Sequence, residues 1–222
     1  MNFIGVLFDL DGTLIHSLPD IAGVINRVRA EYQLPPLAEE SVRGHVGRGA
    51  EHLIQECFRG ELKANPKECL EKFRLYYVET PHWGGYLYPF VRETLDKLRS
   101  ISKVKLGVVT NKSTASAERS LEYYLPHFSF DTIAGPEKVS QRKPHPAHLL
   151  EVMEKLNLNP AQTWFIGDDP IDGLCAERAS VHFLLAGYGF AAQAANLPED
   201  KVLQNFSDIL QKIPLLKLAI KR

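Results

Sequence analysis

The sequence predicts an α/β fold, a doubly wound parallel sheet with an inserted helical segment, and three observations carry this. Short apolar or β-branched runs recur along the chain, helical patterns separate them, and about seventy residues after the first run show helical periodicity alone. The first element is NFIGVLFDLDGTL, Asn2 to Leu14, where Phe3, Ile4, Val6, Leu7 and Phe8 form the continuous apolar run of a strand buried on both faces. Polarity then changes abruptly. Side chains alternate along an extended chain, so Asp9 and Asp11 are expected to point the same way while Leu10 turns into the core. Gly12 permits a sharp turn and close approach by a ligand.

Four further strands are expected at Val104 to Val109, Phe130 to Ala134, Thr163 to Ile166 and Val181 to Leu185, ending at Thr110, Gly135, Gly167 and Ala186. Helices are expected between them at Arg92 to Arg99, Thr114 to Leu125, Ala147 to Leu156 and Ile171 to Ala179, from apolar residues at three- and four-residue spacing. Such alternation makes βαβ units, whose ligands bind beyond the carboxyl ends of the strands. Asp9, Thr110 and Asp168 fall there. Between the first strand and Tyr88, helices are expected at Asp20 to Tyr32, Glu51 to Phe58 and Pro66 to Val78, with Pro35-Pro36 and the Gly47/Gly49 pair as breaks and no strand. The expected division is a core of residues 1–15 and 88–222 with residues 16–87 as a helical cap, whose two connections straddle the site as hinges would. Tyr76, Tyr77 and Trp83 are expected to pack the cap, and KIPLLKLAIKR reads as a docked or frayed tail.

Composition narrows the function. The chain has 222 residues, 45% hydrophobic and 24% charged, with 26 basic against 27 acidic side chains, which leaves no global field suited to nucleic acid or an anionic membrane. Three cysteines, Cys57, Cys69 and Cys175, form neither CxxC spacing nor a disulfide framework, so a reducing cytoplasm is the expected setting. No charged n-region precedes FDLDGTL, so no signal peptide is expected, and no apolar run approaches the roughly 20 residues a membrane span needs. Nothing separates a monomer from a homodimer.

The polar residues at strand ends form a set. Thr110-Asn111 closes the second strand, and Ser113 or Thr114 can cap the helix after it, whose amides favour an anion. Lys143 lies in QRKPHP, expected to be held extended by Pro144 and Pro146. Asp168, Asp169 and Asp172 straddle a strand end and the first helical turn, where Asp169-Pro170 fits an N-cap and Asp172 the third position of a capping box. Carboxylates converging in one cleft repel unless a cation joins them, and all-oxygen ligands suit Mg²⁺. In the cap, Arg43, His45 and Arg48 surround VGRG, where glycine turns can bring a guanidinium to a substrate carboxylate, a solvated arginine being the alternative for either one. None of the eight histidines has metal-ligand spacing.

In order, DLDGTL, VVTN, the lysine of RKP and GDDPID resemble the four motifs of the haloacid dehalogenase-like hydrolase superfamily. VRGHVGRGAEHLI, LYPFVRETLDKLR, RKPHPAHLL and GYGF resemble its phosphoglycolate phosphatase branch, which has a helical cap. The resemblance implies metal-dependent hydrolysis of a small phosphorylated metabolite, with 2-phosphoglycolate as best guess. By the same resemblance Asp9 matches the nucleophile that becomes an aspartyl phosphate, and Asp11 the acid that protonates the leaving alkoxide and then activates water. Asp168 matches a Mg²⁺ ligand alongside Asp9 and the backbone carbonyl of Asp11, with Asp172 behind them. Thr110 and Asn111 match phosphate contacts, and Lys143 the cation that holds the nucleophile and offsets charge on the phosphoryl group. Two positions depart from the branch: His16 stands where an aspartate is frequent, and Ser180 where a glycine is. The alternatives are a phosphosugar mutase that shields the phosphoenzyme from water, a pyrophosphatase, and a binding protein without turnover.

Overall fold

The computed structural model describes residues 3–79, 84–192 and 197–220. Six strands form one parallel sheet in the order β5-β4-β1-β6-β7-β8. These are β1 (Phe3–Phe8), β4 (Val104–Val109), β5 (Thr132–Ala134), β6 (Leu158–Gly167), β7 (His182–Ala186) and β8 (Val202–Leu203). The register aligns Phe8 with Val108 on one side and Ile166 on the other, so the strand ends carrying Asp9, Thr110 and Asp168 stand in one row. Alternation along β1 divides the core: Val6 and Phe8 pack with α5 (Val91–Arg99) and α6 (Thr114–Tyr124), while Leu7 packs with α7 (Ala147–Leu156) and α8 (Pro170–Arg178). The chain closes with α9 (Ile209–Lys212) and α10 (Pro214–Ile220), whose Ile209, Ile213 and Leu216 are fully buried, so this tail is docked through Leu216.

Between β1 and α5 run α1 (Leu18–Glu31), α2 (Glu39–Arg43), α3 (Ala50–Cys57) and α4 (Pro66–Glu79). Their apolar faces meet in a cluster of their own, including Ile25, Val28, Val42, Ile54, Cys69 and Phe73. Arg29 reaches into this cluster and donates to Pro35 O at 2.8 Å and Cys57 O at 2.5 Å, which satisfies a buried guanidinium and ties three segments together.

The expectation of no strand before Tyr88 is corrected. β2 (Ile15–His16) and β3 (Tyr86–Leu87) pair antiparallel, joining the outgoing and returning connections. Two residues each are too short for periodicity to reveal. Here His16 Nδ1 lies 3.1 Å from Tyr88 Oη and its ring stacks on Tyr86 at 4.9 Å. β6 also begins five residues before the expected Thr163, because its first half alternates in burial as a half-covered strand. Trp83, expected to pack the cap, lies outside the described residues; Tyr77 does pack there, 2% exposed. All three cysteines are buried free thiols, and no helix among the described residues is long and apolar enough to cross a membrane.

Candidate active site

Asp9 continues the extended path of β1, its amide donating to Ile166 O at 2.8 Å. The chain then closes a tight turn in which Leu14 and Ile15 both donate to Leu10 O. Leu10 is fully buried, and Asp9 and Asp11 face the same cavity, the arrangement expected from alternation. Gly12 sits at φ +86°, and a Cβ there would lie 2.1 Å from Asp168 Oδ2. Only glycine allows the turn to press against that carboxylate.

Three carboxylates converge beneath the turn. Asp9, Asp168 and Asp172 each present an oxygen within 4.8 Å of the others, and all three are buried. Lys143 Nζ lies 2.7 Å from Asp9 Oδ1 and 2.7 Å from Asp172 Oδ1. One ammonium therefore bridges two of the three carboxylates. Burial, with Asp9 and Asp172 adding to it, raises Asp168 well above the ordinary carboxylate range. Burial also raises Asp9 and Asp172, against the pull of Lys143. For Lys143, burial works against the charge but Asp172 and Asp9 outweigh it, so the ammonium is held more firmly than usual. Asp9 Oδ1 is buried with the Lys143 ammonium as its ion-pair partner. An all-oxygen cluster of three buried carboxylates with one ammonium carries excess negative charge and fits a hard divalent cation.

The other predicted core residues surround this cluster. Asp169 caps α8, its Oδ1 accepting from Ile171 N at 2.9 Å, while Asp172 Oδ2 accepts from Asp169 N at 3.1 Å, so the expected capping box is present and Asp172 both caps and pairs with Lys143. Ser113 rather than Thr114 caps α6. Thr110 lines the cavity, and Asn111 Nδ2 donates to Lys143 O at 3.0 Å and to Gly47 O at 2.9 Å.

The expected extended course around Lys143 is corrected, because residues 142–145 form a turn closed by His145 N donating to Arg142 O. What aims the lysine is a residue the sequence reading passed over. His148, fully buried, accepts from Lys143 N at Nδ1 (3.2 Å) and meets Ala134 O at Nε2 (3.1 Å), which ties the turn to β5. Since Nδ1 accepts, the proton sits on Nε2 and the imidazole is neutral.

Above the aspartates lies a cavity of ≈ 560 Å³, counting space open to solvent, between the core strand ends and α1, α3 and α4. Its upper wall is mostly apolar, with Ile21, Val46, Leu53, Phe73 and Tyr77. Arg43 and Arg48 are not among the lining residues; Arg43 Nε lies 3.4 Å from Glu40 Oε2, and the Gly47 turn meets the core through its backbone carbonyl. A second unforeseen residue is Lys112. Its Nζ lies 2.9 and 3.1 Å from the two oxygens of Asp11 and 4.0 Å above the Tyr77 ring. A lysine between Asn111 and Ser113 reads as solvated; the available signal was its place at a strand end that opens into the site.

The family model described as haloacid dehalogenase-like hydrolase matches residues 6–186, a span that includes every one of these side chains. The chain belongs to this family. Among curated relatives, the phosphoglycolate phosphatase of Mannheimia succiniciproducens is 35% identical over 214 residues, covering 92% of this chain and 95% of the relative. That of Pectobacterium atrosepticum is 35% identical, covering 94% and 92%. A crystal structure described as a predicted phosphoglycolate phosphatase from Haemophilus somnus superposes with a TM-score of 0.84 at 32% identity, covering 95% of this chain and 98% of that one. The doubly wound core is therefore that of a haloacid dehalogenase-like hydrolase, and the phosphatase branch the motifs resemble is the one its relatives occupy.

Proposed function

We propose that this chain is a Mg²⁺-dependent phosphatase that hydrolyses 2-phosphoglycolate, with Asp9 as nucleophile. The observation that carries the reading is the pair Asp9 and Asp11 facing one cavity directly above the cluster of Asp9, Asp168, Asp172 and Lys143. Relatives named for this activity, 35% identical over nearly their whole length, support the substrate.

In this reading Asp9, Asp168 and the backbone carbonyl of Asp11 hold Mg²⁺, with Asp172 behind them, and the ion supplies charge neutralisation for a phosphate dianion entering a nest of carboxylates. A carboxylate oxygen of Asp9 forms a bond to phosphorus as the ester oxygen leaves, and Asp11 gives that oxygen its proton. Asp11 then takes a proton from water, which attacks phosphorus and releases Asp9. Thr110 and Asn111 receive phosphate oxygens, and Lys143 offsets charge on the transferring group. Residues 16–87 act as the cap that excludes bulk water, hinged at the β2–β3 pair.

The test is phosphate release in Mg²⁺ and in excess chelator against 2-phosphoglycolate, β-glucose 1-phosphate, pyrophosphate and common sugar phosphates. Metal-dependent turnover favouring phosphoglycolate, lost in Asp9→Asn, is expected. Conversion of β-glucose 1-phosphate to its 6-phosphate without release would replace this reading with a mutase.

A further inference from the structure

We propose that Lys112 reads the second anionic group of the substrate, so that the cavity selects phosphate esters whose carboxylate is borne by the same carbon as the ester oxygen. The inference rests on the phosphatase reading above and adds what decides the substrate within it.

Of the residues lining the cavity, Lys112 and Arg74 carry permanent positive charge. Arg74 is engaged at the rim, paired with Glu51, which also takes Arg142 at 3.1 Å. Lys112 is on the floor beside Asp11, its side chain 8% exposed, with the Tyr77 ring 4.0 Å from its ammonium. A phosphate attacked by Asp9 places its ester oxygen at Asp11. In a phosphoglycolate-like ester the carboxylate stands only one methylene from that oxygen, and Lys112 Nζ lies 2.9 Å from Asp11 Oδ1. A carboxylate so close to the ester oxygen falls within the span of the flexible lysine stem.

Asp11 already pairs with Lys112, but a lysine in this site serves two carboxylates at once. Lys143 does so between Asp9 and Asp172, at 2.7 Å to each. Lys112 has the same capacity, with three donors on a flexible stem. The rest of the cap wall is mostly apolar, with Ile21, Val46, Leu53, Phe73 and Tyr77 beside a single further polar side chain, His45, so a hydroxyl-rich sugar would find few partners there for the water it loses. Because Tyr77 lies on α4 and Lys112 precedes α6, the reader of the carboxylate is completed only where cap and core meet.

The experiment measures binding rather than turnover, in the Asp9→Asn chain with Mg²⁺, by calorimetry with 2-phosphoglycolate and with ethyl phosphate, which has a methyl in place of the carboxylate. Phosphoglycolate is expected to bind at least about tenfold more tightly, the scale of a desolvated charge pair. Lys112→Met removes that margin, and Lys112→Arg restores part of it. A margin that persists in Lys112→Met, or no margin in the parent, overturns the proposal. A chain that shows the Lys112-dependent margin but releases no phosphate with Asp9 intact would retain this reading of the carboxylate while hydrolysis fails.

Discussion

Lys143 Nζ lies 2.7 Å from Asp172 Oδ1, deep under the turn that carries the site, and holds Asp9 at the same distance. Its loss leaves Asp9, Asp168 and Asp172 clustered without a cation. Lys143→Met is therefore expected to cost about 3–5 kcal/mol of stability in chelator, since breaking a buried pair strands its partners. Urea unfolding at neutral pH checks this, and saturating Mg²⁺ should return part of the loss by binding only the folded chain.

His148 sets an acid limit. Burial, helped by Lys143, lowers its pKa to about 4 from an ordinary 6.5, so between those values the unfolded chain binds the proton more strongly. Stability then rises with pH across that window and falls on acidification through it, by up to ~3 kcal/mol. His148→Asn keeps an acceptor for Lys143 N and removes the titration. Its stability is expected to be lower at pH 8, by about 1–3 kcal/mol for the orphaned Ala134 carbonyl. The gap from wild type should then narrow between pH 6.5 and 4 in chemical unfolding.

Asp20 on α1 accepts from Tyr124 on α6 at 2.5 Å and from Gly85 N at 3.1 Å, tying both connections of the helical segment to the core. A Cβ at Gly85 would stand 2.4 Å from Tyr124 Oη and 2.5 Å from Asp20 Oδ2. Tyr124→Phe is expected to lose about 1 kcal/mol, and Gly85→Ala more, because the methyl displaces both partners. Thermal unfolding ranks the two; equal effects would contradict the crowding argument.

Ser180 holds φ +56°, the left-handed conformation that favours glycine. Relief of that strain, about 1–2 kcal/mol, exceeds the added entropy of glycine in the unfolded chain, about 0.5–1. Ser180→Gly should raise the denaturant midpoint slightly with turnover unaltered, since Ser180 is not among the cavity-lining residues.

The core was legible where one physical signal dominated. The apolar run of β1 ending in two aspartates, the strand Val104–Val109 and the helix Ala147–Leu156 carry unbroken periodicity and clear stops, and the structure has them at those bounds. The β2–β3 pair and α2 were not legible, because two- and five-residue elements form through tertiary contacts rather than pattern. Motif spacing reached Asp9, Asp11, Thr110, Asn111, Lys143, Asp168 and Asp172, but Lys112 and His148 act through partners far away in sequence, at |i−j| of 101 for Asp11 and 14 for Ala134. Arg43 and Arg48 are not among the cavity-lining residues: the Gly47 turn was visible, but which of its groups faces the core is set by packing.

The most direct measurement is borohydride trapping of the enzyme mixed rapidly with 2-phosphoglycolate and Mg²⁺, followed by peptide mass analysis. Aspartyl phosphate at Asp9 is reduced to homoserine at that position, and the account predicts this product only when substrate and metal are both present. Phosphate released while Asp9 remains unmodified, or a trapped acyl phosphate on another carboxylate, would contradict it.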